Sequence, residues 1–73
     1  MEYYIVYAKF DGCKTFKAFD LTEGRQAGNL IYASMVDNTE DTRAKLQKLA
    51  DLNKGCNLVL QLRENGRAKF QTT

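Results

Sequence analysis

The chain has 73 residues, 44% of them hydrophobic, and 11 Lys and Arg against 9 Asp and Glu give a formal charge of +2. A chain this short folds as one domain, residues 1–73, whose single core hides about 60–65% of the surface that the extended chain exposes. Function is therefore expected on a surface rather than in a deep pocket. With no histidine, no tryptophan, no proline and one serine, Ser34, the chain alone cannot build the Ser-His-Asp or Cys-His arrangements of nucleophilic catalysis. A charge of +2 is too small to mark a polyanion binder by itself.

Cys13 and Cys56 have no histidine to complete a zinc site and form no C-x-x-C pair, so they read as free thiols. A Cys13–Cys56 disulfide is the other reading, since so small a core could use a cross-link. The opening MEYYIVYAKF lacks the basic region of a signal peptide, and no apolar stretch approaches the roughly 20 residues needed to cross a bilayer. These features lead us to expect a protein of the cytoplasm with no membrane contact.

In chain order, Tyr3 to Phe10 is rich in aromatic and β-branched residues, stops at Asp11-Gly12, and is followed by Thr15 to Phe19. This predicts a β-hairpin. A three-residue loop of Asp11, Gly12 and Cys13 would set Ala8 opposite Phe16 and Val6 opposite Ala18, turning that row toward the core. Thr22-Glu23-Gly24 reads as a break, and Asn29 to Met35 as a third strand of weaker pattern. Gly24 and Gly28 lack the Lys-Ser/Thr of a phosphate cradle and read as turn glycines.

Asp37 as N-cap and Glu40 at the third helical position predict a helix over residues 38 to 53, with Leu46, Leu49, Ala50 and Asn53 on one stripe and Leu52 at its border. Lys54 and Gly55 would end it, Gly55 in the left-handed conformation. The acids Asp37, Glu40 and Asp41 are accounted for by capping and the helix dipole, and no metal or cofactor is expected from them. Asp11 and Asp20 are separated by a strand and frame no cleft for acid/base chemistry, so no enzyme is expected.

The last hairpin turns at Asn65-Gly66. A two-residue type I′ turn would set Leu62 against Lys69 and Leu60 against Gln71, mixing apolar with polar rows. A three-residue loop with Gly66 in a bulge sets Leu62 against Ala68, Leu60 against Phe70 and Leu58 against Thr72, which is the register expected here. Gln61, Arg63, Arg67, Lys69 and Gln71 would then point away from the core.

The expected architecture is α+β in the order β-β-β-α-β-β: a small, mainly antiparallel sheet of four to five strands with one helix on one face. The uncovered face would carry Tyr3, Ile5, Tyr7, Lys9, Lys17 and Phe19 beside Arg63, Arg67 and Lys69, with Tyr32 a further aromatic candidate. Ordinary surface chemistry accounts for such a row on its own. As a site, it suits a non-catalytic protein that binds or inhibits a larger protein, tyrosine giving wide contact at low entropic cost. A nucleic acid stacking on the aromatics and a homodimer are the alternatives. Glu2, Asp20, Glu23 and Glu64 interrupt the positive field and disfavour nucleic acid. The size and absence of linkers are similar to those of small accessory proteins of phages and mobile elements; no residue motif identifies a family.

Overall fold

A computed structural model describes residues 3–29 and 33–73. The elements are β1 (Tyr4–Lys9), β2 (Lys17–Asp20), β3 (Arg25–Gln26), β4 (Met35–Val36), α1 (Glu40–Leu52), β5 (Val59–Glu64) and β6 (Arg67–Gln71), with a 3-10 turn at Lys54–Cys56. They form one antiparallel sheet in the order β3-β2-β1-β5-β6, with β4 also pairing with β1. The small α+β fold and the order of strands and helix agree with the sequence reading. β1 is the hub: it pairs with β2, β4 and β5.

Helix α1 covers one side of the sheet. Its Leu46 joins Val6, Ala8, Phe19, Leu60 and Leu62 in the buried cluster, with Tyr4, Leu21, Val36, Leu49, Leu58 and Phe70 packed around it. The helix is shorter than expected at both ends. Thr39, not Asp37, is the N-cap and accepts from the Thr42 amide. Asp37 serves one step further out, accepting from the hydroxyls of Thr39 and Thr42. These hydrogen bonds, Thr42's first, hold its carboxyl below the usual carboxylate range. At the other end Asn53 caps the helix, and Asn57, at φ 54°, adopts the left-handed conformation expected of Gly55. Asparagine tolerates that region because its short amide finds local partners. Here the Asn57 amide donates to Asp11 Oδ1 at 3.0 Å and the Asp11 amide to the Cys56 carbonyl at 2.9 Å, tying the first hairpin to the end of the helix.

The first hairpin has a different register from the one expected. Tyr7 lies opposite Ala18 and Ala8 opposite Lys17, so the strands are shifted by one residue and the two phenylalanines exchange roles. Phe19, expected outside, is 5% exposed in the core; Phe16, expected inside, is half-buried beside the outer-face residues Lys9 and Arg63. The cause is the loop. Gly12, at φ 87°, closes a turn in which the Cys13 amide donates to the Phe10 carbonyl, and pairing resumes only at Lys17, rather than directly after a three-residue loop. The larger phenyl group of Phe19 then joins Val6 on the helix side, where it buries more apolar area than Ala18 would.

Of the third strand expected over Asn29 to Met35, Met35 falls in β4, and a further short strand, β3, lies before it at Arg25–Gln26. Leu30, Ile31 and Tyr32 lie outside the described residues. Beyond them Ser34 stands between β1 and β2, accepting from the Val6 amide at 3.0 Å and donating its own amide to the Phe19 carbonyl at 2.9 Å. Its hydroxyl accepts from the Leu21 amide at 2.8 Å. A single serine thus satisfies backbone groups of both strands where they diverge.

The last hairpin uses the two-residue turn. Asn65 at φ 51° and Gly66 at φ 77° are both left-handed, as a type I′ turn requires. Glu64 pairs with Arg67 and Arg63 with Ala68, after which the register shifts and Leu62 pairs with Phe70. Lys69 is the extra residue of this bulge, and it resolves the clash of rows that a plain type I′ register would create. Thr72 then exchanges both backbone-level bonds with Leu60, through its hydroxyl and its amide, each at 2.9 Å. Deleting Lys69 would restore a regular ladder with Phe70 still opposite Leu62. That variant is expected to fold with stability within about 1 kcal/mol of the parent, read from urea unfolding midpoints. Loss of cooperative unfolding would show that the bulge itself sets the register.

Candidate functional site

The side of the sheet away from α1 is built from residues of five strands. Ile5, Tyr7 and Lys9 of β1 lie opposite Arg63, Gln61 and Val59 of β5. Met35 faces Ile5 across β4, Ala18 faces Tyr7 across β2, and on β6 Ala68 faces Arg63 and Gln71 faces Gln61. Tyr3, one step before β1, continues the Ile5 row by alternation. Tyr3 is 53% exposed and Met35 63%, while Ile5, Tyr7 and Phe16 are half-buried.

Of the expected site residues, Tyr3, Ile5, Tyr7, Lys9 and Arg63 come together here. Phe19 does not, being core. Lys17 lies across from Ala8 in register, but its exposed chain borders a hollow of about 580 Å³ beside Tyr7 that is also lined by Ala18, Gln26 and Ala27. Arg67 pairs with Glu64, on the row of Leu62 and Leu60, and Lys69 sits at the bulge on the sheet edge. Arg67 therefore does not add to the cationic row of that face. Tyr32 lies outside the described residues. The sequence reading missed Phe16 and Met35, whose place follows only from the first hairpin's shifted register and from the two-residue β4.

The centre of the face is an ordered cation–aromatic group. The Arg63 guanidinium carbon lies 4.2 Å from the Tyr7 ring centroid and 5.4 Å from that of Phe16, and Lys9 Nζ lies 6.0 Å from Phe16. Arg63 Nε donates to Gln61 Oε1 at 2.8 Å, and Gln61 Nε2 donates to Gln71 Oε1 at 2.6 Å. Gln61 is 7% exposed; its amide is oriented by these two bonds and in turn holds the guanidinium near the Tyr7 ring.

Among the described residues no group of three His, Cys, Asp or Glu side chains could hold a metal ion, and no helix is long and apolar enough to cross a membrane. Cys13, half-buried, and Cys56, exposed, are both free. The class defined by these features is a small α+β protein with one sheet face covered by a helix and, among the described residues, no helix on the other. No protein-family model, curated protein or solved structure matches the chain.

Proposed function

We propose that the protein is a non-catalytic binding protein that docks on, and in doing so inhibits or recruits, a larger protein through the open sheet face. The observation that carries this reading is the group of exposed Tyr3 and Met35 and half-buried Ile5, Tyr7 and Phe16 on the side of Arg63, in a chain whose helix covers the other side of the sheet. Aromatic and arginine side chains clustered at the centre of a patch are the usual energetic anchors of protein interfaces. The free thiols suit a reducing, cytoplasmic setting. The nucleic-acid reading loses support from the position of Arg67, which falls on the row of Leu62 and Leu60 and so does not extend the Lys9 and Arg63 pair of the central cluster.

The test is capture from cells with the parent chain and with Tyr7→Ala as baits, with and without nuclease, followed by titration of the captured protein. A protein partner retained after nuclease treatment is expected to lose affinity about thirtyfold or more on Tyr7→Ala, an effect of at least about 2 kcal/mol. A partner that binds the variant unchanged, or recovery that depends on nucleic acid, would sink the proposal.

A further inference from the structure

The geometry points to a partner segment that places an aspartate or glutamate carboxylate on the Arg63 guanidinium, beside the rings of Tyr7 and Phe16. This rests on the docking reading above and specifies its chemistry.

Arg63 is held before any partner arrives. Its guanidinium carbon lies 4.2 Å from the Tyr7 ring centroid and 5.4 Å from that of Phe16, and Nε is fixed by Gln61, whose own amide is fixed by Gln71. An arginine normally loses several rotatable degrees of freedom when it grips an anion; here most of that loss has already occurred on folding. The two Nη groups donate to nothing among the described residues. Their paired N–H groups form the planar fork that a carboxylate accepts through two parallel hydrogen bonds.

The surrounding charge selects the same ligand. Lys9 Nζ also lies 6.0 Å from the Phe16 ring, and none of the described residues paired on this side of the sheet is an acid. An acidic side chain would therefore meet two cations, next to aromatic rings that displace water and strengthen the contact. A lysine at 63 would keep the charge but would lose both the fork and the stack on Tyr7.

The experiment pans a library of random twelve-residue peptides on the folded protein and measures the enriched peptides against variants shown by circular dichroism to be folded. Enriched peptides are expected to share an Asp or Glu close to an aliphatic or aromatic residue. Exchanging that acid for its amide, or Arg63→Lys in the protein, should each weaken binding by about tenfold or more. The acidic peptide, and not its amide form, should shift the Arg63 Nε–H signal in NMR spectra. Peptides that lose binding with Tyr7→Ala yet bind Arg63→Lys unchanged overturn the carboxylate proposal and leave the docking face standing. Peptides indifferent to both variants, or no enrichment, overturn the docking face as well. An oligothymidylate that displaces the peptides through Arg63 overturns the proposal in favour of a phosphate ligand.

Discussion

Phe19→Ala is expected to destabilise the protein by about 3–4 kcal/mol, while Phe16→Ala costs less than about 1 kcal/mol. The two residues are three apart and chemically identical, Phe16 just before β2 and Phe19 within it, so composition and hydropathy do not separate them. Burial does: Phe19 is 5% exposed and packs with Val6, Leu46, Leu60 and Leu62, whereas Phe16 stands half-buried among Lys9 and Arg63. Truncating Phe19 opens a cavity that the hydrogen-bonded sheet cannot readily close. At about 0.05–0.15 kcal/mol per residue, a 73-residue chain has roughly 4–11 kcal/mol of stability in all, so this one change removes a large part of it. Urea unfolding followed by far-UV circular dichroism measures both variants. Equal losses would place both rings in the core and refute the one-residue shift of the first hairpin. Under the proposed docking role the order is expected to reverse, because Phe16 lies beside Arg63 on the proposed face.

Leu46→Ala is expected to cost about 3 kcal/mol, and Leu52→Ala no more than about 0.5 kcal/mol. Leu46 is the one helix residue in the buried cluster and is 2% exposed; Leu52, a turn and a half further on, is 74% exposed. α1 has few other anchors: Ala50 is buried but small, and Leu49 is half-buried. A helix of thirteen residues is marginal on its own and depends on such packing to persist. Loss of Leu46 should therefore also raise amide exchange along Glu40–Leu52 ahead of global unfolding, a result that hydrogen exchange would show directly. Unchanged exchange together with unchanged stability would mean that the helix is held by other contacts.

The helix was the most legible element because its stripe of Leu46, Leu49 and Ala50 repeats at helical spacing, and the structure keeps that stripe. Its start was less legible, since Asp37 and Thr39 are both good acceptors two residues apart and only the backbone turn decides which of them caps. The hairpins show where local reasoning stops. In the first, both strand faces are partly apolar, so periodicity does not choose a phase; the choice comes from packing Phe19 against α1, a contact distant in sequence. In the second, Asn65-Gly66 correctly signals a type I′ turn, but reconciling that turn with the leucine row required a bulge at Lys69 that no residue type announces. The open face was legible in its β1 half and in Arg63. Phe16 and Met35 entered only through register, and Gln61 read as one more polar residue until its two bonds showed that it steers the guanidinium.

The strand that holds the sheet together is the first one made. β1 is hydrogen-bonded on one side to β2 and β4 and on the other to β5, whose residues begin fifty positions after β1 ends. During synthesis at about 5–20 residues per second, that flank waits several seconds for its partner. Throughout that interval Val6 and Ala8 lack Leu62 and Leu60 opposite them, and the apolar row is open to any other extended chain nearby. Assembly is thus gated by the arrival of β5, and an interruption of translation before residue 59 would leave a fragment with an unpaired, aggregation-prone edge rather than a smaller version of the fold.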